Sequence, residues 1–200
     1  MKSTPWLWLL PFMLMLSCAP RALAPPPPIP TQTIAVLPPG NHTDDPLIVA
    51  SESLWDVFSP PSHDLKVTDV LAAEARSQLE QRGFRVVPAT VVEAAIGNKR
   101  PNSTEEAAEL AVQGKLEGEV LYLEILRWES DMPIRPSRVL VSLDVSLIDA
   151  ASGRILWTTH QPLRPVPTPG AINQSTAYVI AARQVAEELL SSWGPKQPTS

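Results

Sequence analysis

The chain predicts a two-layer α/β sandwich, with a mixed sheet of about five strands and helices packed mainly on one face. Three observations carry that prediction. Two long stretches, 119–128 and 137–149, alternate apolar and other residues with the period of a strand. Two short apolar runs, 33–38 and 84–87, flank a helix-period segment, the layout of a parallel β-α-β pair. Residues 175–193 close the chain with a broad apolar helical stripe.

Each element follows from local chemistry. Residues 33–38, TIAVLP, form a buried strand stopped by Pro38 and Pro39. The stretch 39–66 is irregular, with room for one short helix at 51–58. Thr68 is the expected cap of the first long helix, with Asp69 in its first turn. Val70, Leu71, Ala75 and Leu79 share one face of it. Gly83 suits the left-handed position after its end, and Phe84 the apolar contact beyond. Thr90 with Glu93, and Ser103 with Glu106, have the spacing of capping boxes that open two short helices.

In 119–128, Leu121, Leu123 and Ile125 face one side, and Val120, Tyr122, Glu124, Leu126 and Trp128 the other. In 137–149, Val139, Val141, Leu143, Val145 and Leu147 form the apolar row. A turn at 149–153 leads back into a strand at 154–161. A proline-rich loop, 162–171, precedes the last helix, whose stripe holds Tyr178, Ala182, Val185, Leu189 and Trp193. The predicted order is β-α-β-α-α-β-β-β-α, a parallel pair followed by an antiparallel meander.

The start of the chain has a different character. Lys2 precedes an apolar run from Trp6 to Leu16, interrupted by Pro11. Ser17 and Cys18 follow, and the composition then turns to proline. The run is shorter than the roughly 20 apolar residues a spanning helix needs. It has the layout of a cleaved export signal, and it resembles a bacterial lipoprotein signal. That resemblance implies a signal peptide at 1–17 and Cys18 as the lipidated first mature residue. The thiol would take diacylglycerol and the amine a further chain such as palmitate, an anchor strengthened by about 0.8 kcal/mol per buried methylene. Met15 and Leu16 stand where such signals carry Leu and a small residue, so a plain secretory signal is the rival reading. Ala19 in place of Asp implies the outer membrane, facing the periplasm. Residues 18–32 form a proline-rich tether, 33–193 one domain and 194–200 a flexible tail. Pro25 to Pro28 favour an extended left-handed helix.

Composition narrows the function classes. With 16 basic and 21 acidic residues the net charge is −5, and no basic block marks a nucleic-acid partner. Cys18 is the one cysteine, so lipidation leaves no thiol for a disulfide or thiolate chemistry. The 23 prolines avoid the long periodic segments, as expected of a folded core with long loops.

In order along the chain, IAVLPPGNHTDDP, DVLAAEARSQLEQRGFRVVP, GEVLYLEI and LIDAASGRILW resemble segments of small bacterial envelope lipoproteins. The set is similar to putative lipoproteins grouped with the curli-secretion type, to the amino-terminal domain of the Tol-system propeller protein, and to lipoprotein activators of penicillin-binding proteins. It spans nearly all of 33–193. The chain departs from the pattern in its 41–66 insert and its 162–171 loop. It also lacks the amphipathic hairpin pair with which curli-secretion proteins span a membrane.

No sequence motif names a reaction. His42 with Asp44 and Asp45 reads as a solvated turn rather than a metal site. His63 with Asp64 lacks a nucleophile motif such as G-x-S-x-G. His160 falls on a strand surface, and Glu124 and Asp144 pair on the open sheet face either as a carboxylate couple or as ordinary polar alternation. No cofactor is expected. Trp55, Phe58, Tyr122 and Trp128 are candidates for interface anchors or for completing the core. The resulting expectation is a non-enzymatic interaction or assembly module in an envelope export or cell-wall system, meeting an envelope protein or a second copy. A peptidoglycan-synthase activator and a hydrolase using a loop histidine are the alternatives.

Overall fold

The computed structural model describes residues 33–49 and 65–193. The first strand, β1 (Thr33–Val36), is followed by two short pieces, β2 (Gly40–Asn41) and β3 (Ile48–Val49). Next come β4 (Leu65–Lys66), α1 (Val67–Gln81), β5 (Arg85–Val86), α2 (Ala89–Ala95) and α3 (Thr104–Gln113). The chain ends with β6 (Glu119–Ser130), β7 (Arg138–Asp149), β8 (Ile155–Pro167) and α4 (Gln174–Leu190). The main sheet runs β5-β1-β6-β7-β8, and β2 extends the β1 side of β6. The expected parallel pair is present, with Thr33 opposite Arg85 and Ile34 opposite Val86. So is the antiparallel meander β6-β7-β8. Within the stretch read as irregular, β3 and β4 form a separate two-stranded sheet. Among the described residues no helix is long and apolar enough to cross a membrane.

The two long helices cover one face of the sheet. Leu71, Ala75 and Leu79 of α1 and Ala181, Val185 and Leu190 of α4 pack with Leu121, Leu123, Ile125, Val141 and Val145. A smaller core lies on the opposite face, where Val92 of α2 and Leu110 and Ala111 of α3 meet Ala35, Val120, Tyr122 and Ile148. The short helices reach only one end of that face. The remainder of it, beyond Glu124, is open.

The capping expectations were met in part. Ser103 caps α3, its hydroxyl accepting the Glu106 N–H at 3.2 Å, and the Glu106 carboxylate accepts from the Asn102 N–H at 2.9 Å. Gly83 has φ +87°, and the Phe84 N–H returns to the Leu79 carbonyl at 3.1 Å. Thr68 is not a cap. The helix starts two residues earlier, with Lys66 as its cap; Asp69 Oδ2 accepts the Lys66 N–H at 3.2 Å, and Thr68 is buried in the first turn. Thr90 is not a cap either, because Pro88 stands before α2 and its carbonyl takes the Val91 and Val92 N–H groups.

Two strand expectations change for physical reasons. The pairing of β6 with β7 shifts between Ile125 and Arg127, where one extra residue is inserted. Beyond this bulge the faces exchange. Trp128 therefore turns to the side of Leu123 and packs against Tyr178, edge to face at 6.4 Å. The second change concerns the proline-rich loop. Strand β8 continues through Pro162 and Pro165 to Pro167. It is an edge strand, and an edge needs inward N–H donors only at alternate residues, so Pro165 and Pro167 fit without breaking the ladder.

Candidate functional site

A polar row crosses the open sheet face. Glu124, Asp144 and His160 are direct cross-strand partners on β6, β7 and β8. The strand pattern that placed Glu124 beside Asp144 is thus realised. His160 Nδ1 lies 2.6 Å from Asp144 Oδ1, on a largely exposed pair. Beside the row, the Thr104 hydroxyl is 3.0 Å from that of Ser146, which is 3.2 Å from that of Thr158. Thr104 also donates to Glu124 Oε1 at 3.5 Å. Burial raises the Glu124 carboxyl above the ordinary carboxylate value. Asp144 and Glu105 add to that rise, while His42 and the Thr104 bond oppose it. The three hydroxyls bond to one another and to Glu124, not to His160. The row is a His160–Asp144 pair beside a hydroxyl network that engages Glu124.

His42 reaches this neighbourhood because its N–H bonds the Ile125 carbonyl at 2.8 Å, extending β2 along β6. The loop after it is a closed turn. Asn41 Oδ1 accepts from the Thr43 N–H and hydroxyl at 3.0 and 2.7 Å, and Asp45 Oδ1 accepts the Leu47 N–H at 2.7 Å. Among the described residues, no group of three metal-ligating side chains is placed to hold a metal ion. Between this turn and the outer end of β6 lies a cleft of about 490 Å³, lined by Asp44, Asp45, Glu129, Gln174 and Tyr178.

Tyr122 and Trp128, the described members of the aromatic set, are core residues. Each is 1% exposed. Tyr122 points under α2 and α3, and its hydroxyl donates to the Pro101 carbonyl at 2.8 Å. A Cβ at position 40 would stand 2.5 Å from that hydroxyl, so Gly40 makes room for it. Trp128 was carried inward by the bulge. Cys18, Trp55, Phe58, His63 and Asp64 lie outside the described residues, as do the expected signal, tether, 51–58 helix and tail.

The exposed apolar surface is elsewhere, in residues that strand periodicity does not single out. Met132 and Ile134, in the β6–β7 connection, are 52% and 73% exposed, and Ile172, just before α4, is 63% exposed. The two loops are joined by a bridge between Ile134 and Asn173 and by the Arg135 N–H donating to the Ile172 carbonyl at 3.2 Å. The sequence signal was present, as apolar residues set among prolines in MPIRP and PGAIN. Their meeting needed the tertiary fold.

No family model and no curated protein matches the chain. It is similar to several solved structures. One is the PelC dodecamer from Paraburkholderia phytofirmans, at 17% identity over 87% of this chain and 94% of that chain, with a TM-score of 0.45. Another is the lipoprotein GNA1162 from Neisseria meningitidis, at 20% identity over 80% and 99%, with a TM-score of 0.43. A third is the LpoB C-terminal domain from Salmonella enterica, at 15% identity over 68% and 82%, with a TM-score of 0.40.

Proposed function

We propose that this chain is a lipid-anchored outer-membrane lipoprotein facing the periplasm, whose α/β domain is a non-enzymatic contact module in an envelope export or cell-wall system. The observation that carries the contact reading is the apolar end formed by Met132, Ile134 and Ile172. Large apolar side chains exposed on a braced pair of loops suit this end of the domain to a partner. Strand addition is the less favoured route. The β8 edge is interrupted by Pro162, Pro165 and Pro167, and the opposite edge, β5, is two residues long. The chain enters the fold at Thr33, which neighbours the start of β6, whereas the apolar end lies past its finish. A twelve-residue strand separates the two by about 40 Å. A domain tethered through Cys18 would therefore present its apolar end away from the anchor. The non-enzymatic reading is supported by the hydroxyl network beside His160, which engages Glu124 and not the imidazole.

The test is crosslinking in intact envelopes, comparing wild type with Met132→Asp/Ile134→Asp and with Cys18→Ala. The aspartate variant should remain folded and membrane-bound while its protein crosslinks fall to background. Cys18→Ala should lose lipid labelling and leave the membrane fraction. A folded aspartate variant that keeps every crosslink would reject the apolar end as the contact surface. Wild type without lipid would reject the anchor. Trp55 belongs to the same proposal as a further contact candidate, with Trp55→Ala as its variant.

A further inference from the structure

A second surface lies at the other end of the sheet, on the open-face side. Helix α3 and the turn between β7 and β8 meet there and border an open groove of about 400 Å³. Its floor is apolar. Val112 and Ile155 are each 41% exposed inside it, and Ala108 lies between them. One rim carries Glu105 and Glu109, one helical turn apart on α3. Like charges at that spacing repel by a few tenths of a kcal/mol. Neither carboxylate is in an ion pair with a cation among the described residues. Glu105 is also near enough to Glu124 on the adjoining sheet to help raise its carboxyl. Uncompensated negative charge along an apolar groove is a cost to the free protein that a cationic, apolar occupant would relieve.

We infer that this groove docks a segment of a partner protein that is apolar on one side and carries two basic side chains one helical turn apart. Charge complementarity commits the occupant to a basic amphipathic helix. Its apolar residues would cover Val112 and Ile155, and its Lys or Arg pair would meet Glu105 and Glu109. The inference is independent of the apolar end at Met132 and Ile134.

The probe is a fluorescein-labelled Leu/Lys amphipathic helical peptide, with a Leu/Glu peptide of the same length as its counterpart. The full chain is held in phosphatidylcholine nanodiscs, and the anisotropy signal of empty discs is subtracted. Wild type should prefer the Leu/Lys peptide by roughly tenfold or more at low salt, the preference shrinking as salt rises. Glu105→Lys/Glu109→Lys should reverse that preference. Glu80→Lys/Glu187→Lys makes the same change in net charge on α1 and α4 and should leave it intact. Glu105→Gln/Glu109→Gln, which removes charge without adding any, should show the intermediate loss and serves if the lysine variant does not fold. Absence of binding above empty discs, equal losses in the two lysine variants, or equal affinity for both peptides would each overturn the groove assignment. Envelope crosslinks at Met132 and Ile134 would be untouched by any of these results, so the contact reading stands or falls separately.

Discussion

The two faces of the sheet are built on different terms. The face under α1 and α4 carries the larger apolar core, with polar Thr159, Gln161 and Arg164 only on its β8 edge. The face under α2 and α3 is closed at one end only, and where the helices stop the strands carry Glu124, Asp144, Ser142 and His160. Apolar burial without polar groups is the larger source of stability. Polar groups left beside water cost little and keep a surface available. The closed face thus holds most of the fold, and the open part of the other face, beyond α2 and α3, can vary its chemistry at little cost.

The sharpest way to break that contrast is at the bulge in β6. Trp128→Ala should destabilise the protein by about 3–5 kcal/mol, because the bulge has placed the indole in the closed core. Leu123→Ala, on the same face, should cost about 2–5 kcal/mol. Urea unfolding followed by circular dichroism reads both. A Trp128 loss below that of an exposed residue would mean that the strand keeps one alternation throughout. A smaller effect is expected across the sheet. Tyr122→Phe keeps the ring under α2 and α3 but strands the Pro101 carbonyl, at a cost of about 1 kcal/mol.

The smallest effect concerns pH. Burial raises the Glu124 carboxyl in the folded state above its unfolded value. The folded protein therefore holds that proton more tightly. Its contribution to stability is fully present below the unfolded carboxylate value and is lost as pH rises through the folded one. Glu124→Gln removes this dependence. The variant should gain on wild type as pH is raised from the carboxylate range towards neutrality, with the gain levelling off once Glu124 is ionised. Unfolding midpoints at a series of pH values would show it, and a difference that does not change with pH would remove Glu124 from the account. His160→Ala, on an exposed pair, should shift stability by no more than about 0.5 kcal/mol.

Particular residues show where sequence reasoning held and where it stopped. Leu123, Val141 and Glu124 were assigned to their faces by alternation, and the sheet agrees. Ser103 and Gly83 are legible from local capping chemistry, which acts over three or four residues and needs no distant partner. Thr68 and Thr90 fitted the same patterns but lost their places to Asp69 with Lys66 and to Pro88. Several residues near a helix start can serve as its boundary, and packing selects among them. Proline marks 162–171 as a loop because it cannot donate to a ladder, yet β8 takes its first six residues, since at the sheet's edge alternate donors are not required. That a segment lies at an edge is a property of the whole sheet.

The sequence by itself determined the order of the main elements, the parallel opening, the meander and the faces of the long strands as far as Ile125, but not the short strands β2, β3 and β4. Periodicity and capping are local, and each is written into a few neighbouring residues. Only the tertiary structure decided the side on which Trp128 lies, because a bulge is set by the register between two strands and leaves no mark on either alone. It also decided that the loop carrying Met132 and Ile134 meets the loop carrying Ile172, and that α3 meets the β7–β8 turn with Glu105 and Glu109 beside an apolar floor. Those arrangements join segments some forty residues apart in the chain, and their geometry exists only once the core has brought the segments together.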